Sequence, residues 1–132
     1  MTEGKTRTVM IVDNEPGVLE LVARILEANN YRTIEAKDGQ ECLEKLKEEV
    51  PEVILLDILM PGLTTREILS AIDKDSRLSE VKIILLSAVH LPEAEEKGLL
   101  ASPQVVDFIE KSFTMRRLID AVEKAISERK QM

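Results

Sequence analysis

Two hydrophobic patterns alternate along the chain. The runs TVMIVD (8–13), EVILLD (52–57) and VKIILLSA (81–88) are almost continuously apolar. A half-exposed strand alternates apolar and polar residues, so these runs predict strands buried on both faces. YRTIEA (31–36) and VVDFIE (105–110) are shorter, more mixed strand candidates. Between the runs, apolar residues recur at helical spacing. Val18, Leu19, Val22, Ile25 and Leu26 predict a first helix, with Pro16 in its first turn and Asn29-Asn30 at its end. DGQECLEKLKEEV predicts a second helix opened by an Asp38 to Glu41 capping box, and TTREILSAI a third opened by Thr64 and Glu67. PEAEEKGLL reads as a short charged helix with a solvated face, and Leu118, Ile119, Val122, Ala125 and Ile126 mark the inner side of a closing helix.

Five strands alternating with five helices, with apolar central strands, imply a parallel sheet covered on both faces. Right-handed crossovers then favour a doubly wound α/β fold in strand order 2-1-3-4-5, flavodoxin-like in topology. No internal repeat or low-complexity tract divides the chain, so 1–132 is expected to be one domain with its core at about 8–127. In such sheets, ligands bind beyond the carboxyl ends of the strands, where strand order reverses. On this reading Asp13, Asp57, Ser87 and Lys111 fall at the ends of strands 1, 3, 4 and 5.

Composition narrows the chemistry. The net charge is −7, which argues against a nucleic-acid surface built from clustered Lys and Arg. Tyr31, Phe108 and Phe113 are the only aromatics, too few for base stacking. No apolar run approaches a membrane span, and MTEGKTR lacks the apolar core of a secretory signal. Cys42 is the single cysteine, so a reducing, cytoplasmic setting is expected and the thiol reads as a buried apolar residue. His90 alone makes no metal cluster. Carboxylates at Asp13 and Asp57, with Asn14 and Glu15 beside them, are hard oxygen donors suited to Mg²⁺. Asp57 is then a candidate nucleophile toward a phosphoryl group, with Lys111 and Ser87 placed to meet its oxygens. Taken singly, each of these residues has a plainer reading as a cap, turn or solvated charge; the combination carries the argument.

MIVDNEP, LLDILMPG, ILLSA and DFIEKSF together resemble the four signature strands of a response-regulator receiver domain, over nearly the whole chain from about Thr8 to Ser127. The resemblance implies that Asp57 is the phosphoacceptor and that Asp13 belongs to the acidic pair that binds Mg²⁺, with Asn14 at its second position. The carbonyl of Leu59 would be a metal ligand, Ser87 the switch hydroxyl, Phe108 the aromatic that moves with it, and Lys111 the phosphate-contacting lysine. It also implies a sensor histidine kinase or phosphotransfer protein as donor. Because only SERKQM follows the closing helix, output is expected through a protein bound to the helix 4–strand 5–helix 5 face. Leu59 and Val89 flank the site and are expected to limit attacking water.

Several positions depart from the family pattern. Asn14 stands where a second acid is usual, which predicts weaker metal binding. Glu15 is a candidate to compensate for the missing acid, although as the residue that opens helix 1 it is also placed to point away. Ser112 follows Lys111 where a cis proline is usual; a non-proline cis bond costs about 3–4 kcal/mol, so a trans bond and a shifted Lys111 loop are expected. GLTTRE replaces a glycine-containing turn, so Thr65 must do without positive φ or carry strain. LLASPQVV predicts a short or irregular helix 4. These departures keep open a pseudo-receiver, a phosphorylation-independent interaction module on the same fold. An aspartate-nucleophile phosphatase would want an acid where Leu59 stands, and a flavin module would want a phosphate-cradling loop where DNEPG is too acidic.

Overall fold

In the computed structural model, which describes residues 7–88 and 92–130, the apolar runs become the strands of one sheet. The elements are β1 (Arg7–Val12), α1 (Pro16–Ala28), β2 (Tyr31–Ala36), α2 (Gly39–Leu46), β3 (Val53–Asp57), α3 (Thr65–Asp73), a short 3₁₀ turn (Ser76–Leu78), β4 (Lys82–Ser87), α4 (Glu93–Leu100), β5 (Val105–Glu110) and α5 (Met115–Lys130). The strands lie in the order β2-β1-β3-β4-β5, and every pairing is parallel. The doubly wound α/β fold expected from the sequence is therefore the fold observed. β1 stops one residue short of the expected Asp13, although Asp13 N still donates to Ala36 O at 3.1 Å.

Side chains on a strand alternate between faces, and the core divides accordingly. Val9, Ile11, Val53, Leu55, Ile84 and Leu86 pack beneath α1 and α5, while Met10, Val12, Ile54, Leu56, Ile83 and Leu85 pack beneath α2, α3 and α4. Cys42 is fully buried in the second layer. Burial, then the charge of Asp38, pushes its thiol up to about 12, so it behaves as an apolar filler. Gly39 lets α2 approach α3: a Cβ there would lie 2.6 Å from Ile68 Cδ1 and 3.2 Å from Leu63 Cβ.

The helix starts follow the sequence signals with one difference. Thr64 and Glu67 form a complete capping box, with bonds of 3.1 and 2.8 Å. Asp38 caps Glu41 N at 2.8 Å, but Glu41 Oε1 accepts from Lys37 N rather than from Asp38 N, so the second box is not reciprocal. Asn30 adopts a left-handed conformation (φ 71°) just past α1, as helix-terminating asparagines do. Of the two alternatives at Thr65 the chain takes the first: Thr65 does without positive φ. Gly62, at φ 90°, takes the left-handed turn, and Thr65 begins α3 in ordinary helical geometry. Among the described residues there is no cis peptide, in line with the trans bond expected at Ser112. No described helix is long and apolar enough to cross a membrane.

β5 joins the sheet through a bulge. Ile83 pairs with Val105 but Ile84 pairs with Asp107, leaving Val106 without a counterpart. Beyond it, Asp107 faces α5, where Arg117 binds it with two contacts of 2.9 and 3.0 Å. Burial alone would raise the Asp107 carboxyl, but the Arg117 bonds, the Phe108 N–H and the nearby cations hold it below the usual range. α4 is short, as the LLASPQVV stretch predicts. That stretch also contributes something the sequence did not disclose. Gln104 is buried, and its Nε2 donates to Leu78 O at 2.7 Å and Val81 O at 2.9 Å, closing the chain's entry into β4.

Two stability predictions follow from these contacts. Gly39→Ala overpacks the α2–α3 contact and is expected to cost about 1–3 kcal/mol. Gln104→Ala removes a buried side-chain donor shared by two carbonyls, of which Leu78 O keeps Val81 N at 3.1 Å, and is expected to cost about 1–3 kcal/mol. Urea unfolding followed by circular dichroism measures both, with Gly17→Ala, where a Cβ meets nothing within 4 Å, as the control.

Candidate functional site

Asp13, Asp57, Ser87 and Lys111 each stand at or just beyond a strand end and are fixed there by a neighbouring strand. Asp57 pairs with Leu86 in the register, and Ser87, one step further, is buried. Lys111 N donates to Ser87 O at 2.7 Å, which sets the lysine beside β4 directly after β5. Asp13 and Asp57 are 0% and 1% exposed.

The two acids share one local geometry. Asp13 Oδ1 accepts from Glu15 N at 2.9 Å, and Asp57 Oδ1 accepts from Leu59 N at 3.0 Å. In each case a backbone N–H two residues on, as in an Asx turn, engages one carboxylate oxygen. The other oxygen of each turns toward Lys111. Its Nζ lies 2.7 Å from Asp13 Oδ2 and 3.2 Å from Asp57 Oδ2. Among the described residues Lys111 is the one partner of Asp13 Oδ2, a buried oxygen that makes no other hydrogen bond.

Electrostatics follow from burial and crowding. Burial, reinforced by the charge of Asp13, raises the Asp57 carboxyl above its ordinary value against the opposing pull of Leu59 N–H and Lys111. Burial alone would lower the Lys111 ammonium, but Asp13, Glu15 and Asp57 outweigh it and hold the lysine above its ordinary value.

Lys111 is not displaced by the Ser112 substitution: it reaches both buried acids, contrary to the shifted loop expected from the sequence. Of the two placements open to Glu15, the structure shows the one that faces the site. Glu15 Oε1 lies 3.1 Å from Lys111 Nζ. The signal lay in Asp13, whose turn onto Glu15 N fixes the residue at the mouth of the site. Asn14 is exposed, Leu59 is 49% exposed on the rim, and an open cleft of about 230 Å³ begins there, lined by Ile58, Leu59, Thr65, Arg66 and Leu99 among others. Phe108 is half-buried against the α2–α3–α4 layer, opposite Leu85. Val89 and His90 lie outside the described residues.

Because the folded state holds the Asp57 proton more tightly than the unfolded chain, ionised Asp57 opposes folding above its raised pKa. The effect disappears below the unfolded value of about 3.9. Without metal, Asp57→Asn is therefore expected to raise the melting temperature at pH 7 and to lose that advantage as pH approaches 4. Thermal unfolding of both proteins across that range measures it, and a lower melting temperature for the variant at pH 7 would contradict the account.

Comparisons with known proteins agree with this geometry. A family model described as "Response regulator receiver domain" matches residues 9–123. The phosphate regulon transcriptional regulatory protein PhoB of Escherichia coli (strain K12) is 28% identical over 123 residues, 93% of this chain and 52% of that protein. The chain thus spans about half the length of the PhoB relatives it matches. The polar-differentiation response regulator DivK of Brucella ovis is 26% identical over 123 residues, 93% of this chain and 98% of the relative. Among solved structures, a CheY-like response regulator receiver domain protein from Methanospirillum hungatei JF-1 superposes with a TM-score of 0.81 at 33% identity, covering 95% of this chain and 98% of the other. The chemotaxis protein CheY4 of Vibrio cholerae shares the fold at a TM-score of 0.83 and 24% identity, covering 92% and 99%. With a family match running from β1 into α5 over a sheet of the same topology, the chain belongs to the response regulator receiver domain family, and so to two-component signalling.

Proposed function

We propose that this receiver accepts a phosphoryl group on Asp57 from a sensor histidine kinase or phosphotransfer protein, in a Mg²⁺-dependent reaction, and signals by binding another protein. The observation that carries the reading is the Asp57 carboxylate itself. One oxygen is held by Leu59 N–H and the other faces an ammonium at the mouth of the sheet. That oxygen attacks phosphorus, the bond to the donor's imidazole nitrogen breaks, and an acyl phosphate forms as the imidazole leaves. Lys111 exchanges its carboxylate partners for phosphoryl oxygens, and the Ser87 hydroxyl donates to one of them. Asp57's burial keeps the nucleophile short of water before the donor docks.

The buried Asp13 Oδ2 beside Asp57, met only by the Lys111 ammonium among the described residues, suits a hard cation. Asp13, Asp57, Asn14 and the Leu59 carbonyl would hold it, and when bound it supplies positive charge against the phosphoryl oxygens. Added charge at Asp57 would draw Ser87 inward, with Phe108 following, and so alter the α4–β5–α5 face. The chain is a signalling domain of the cytoplasm whose only chemistry is transfer to and from its own aspartate. A second reading, the pseudo-receiver, draws support from Asn14 and from an ammonium that already compensates the buried acids.

Intact-protein mass after incubation with acetyl phosphate, over a Mg²⁺ titration and beside Asp57→Ala, separates the two. The expected outcome is one added phosphoryl group on the wild type alone, dependent on Mg²⁺. No mass change at saturating Mg²⁺ would favour the pseudo-receiver.

A further inference from the structure

We infer that Glu15 supplies the third carboxylate charge to a divalent cation at this site, in place of the acid missing at position 14. The inference rests on the metal-dependent reading above. Lys111 marks the location: its ammonium lies 2.7 Å from Asp13 Oδ2, 3.1 Å from Glu15 Oε1 and 3.2 Å from Asp57 Oδ2. A positive charge at that point meets three carboxylates at once. One of those oxygens, Asp13 Oδ2, is buried and has no partner besides Lys111 among the described residues, so nothing else holds it against a stronger cation. Asn14 offers an amide oxygen but no charge, and without Glu15 a divalent ion would face only two acids.

The lysine and the ion compete for the same oxygens. Among the described residues, no three His, Cys, Asp or Glu side chains are gathered closely enough to hold a metal as they stand. Asp13, Glu15 and Asp57 would therefore hold an ion only with Lys111 turned away from them. Glu15 is equipped to follow the exchange. Its side chain is 62% exposed and unconstrained by the core, while its backbone is fixed by Asp13. A neighbouring carboxylate strengthens cation binding directly or through a coordinated water.

The test measures binding without a phosphodonor. Mn²⁺ binding is followed by electron paramagnetic resonance of the free ion, and Mg²⁺ binding by calorimetry. The proteins are wild type, Glu15→Gln, Asn14→Asp and the double variant. Glu15 makes no capping bond to α1, so the glutamine leaves the helix start intact, which circular dichroism checks. Glu15→Gln is expected to weaken both ions roughly tenfold. Asn14→Asp is expected to tighten them, and Glu15→Gln to have much less effect in that background, a coupling that a merely structural role would not produce. Unchanged or tighter binding by Glu15→Gln would overturn the inference and leave the metal-dependent reading standing. Absence of binding by the wild type would overturn both.

Discussion

Two carboxylates that water barely reaches stand beyond β1 and at the end of β3, and a single ammonium compensates both. Buried charge is tolerated only when it is paired and hydrogen-bonded, and removing one partner of such an arrangement typically costs about 3–5 kcal/mol. Lys111 is the partner here, and it comes from the far side of the sheet. Its position depends on β5 pairing correctly with β4, and the acids depend on β1 pairing with β3. The electrostatic balance of the site therefore reports on the assembly of four strands.

That balance is also adjustable. Each acid commits one oxygen to its own backbone two residues on and leaves the other for a cation. The chain thus presents two rigid, parallel acceptors rather than two mobile side chains. The ammonium bridging them is the movable part, since a lysine stem offers several rotatable bonds. An arriving cation or phosphoryl group changes the partners of Lys111 without first disturbing the sheet. The apolar run that precedes Asp57 supplies the rigid floor this requires.

Much of this was legible in the sequence. The uninterrupted apolar strands announced a sheet buried on both faces, and four chemically suited residues at strand ends announced the site. The Thr64–Glu67 box was readable because both partners are local. What escaped were side chains whose role depends on distant neighbours. Glu15 turns inward because a lysine 96 residues away is there to receive it. Gln104 is buried where its amide reaches the carbonyls of Leu78 and Val81, 26 and 23 residues earlier in the chain, on the way into β4. Which alternative Thr65 takes depends on the turn before it, where Gly62 of the MPG motif adopts the left-handed conformation and Thr65 has no need of it.

The bulge at Val106 has a consequence for how this chain tolerates change in length. The extra residue puts Asp107 and Ile109 toward α5, and Phe108 toward the opposite layer. A one-residue slip in a strand exchanges its faces. Deleting a residue between Val106 and Lys111 would thus turn the aromatic to the wrong side, break the Asp107–Arg117 tie and draw the lysine out of reach of the acids in a single event. The stretch from the bulge to the lysine is effectively a fixed ruler. Aromatic, salt-bridge acid and lysine must be inherited as one spaced unit.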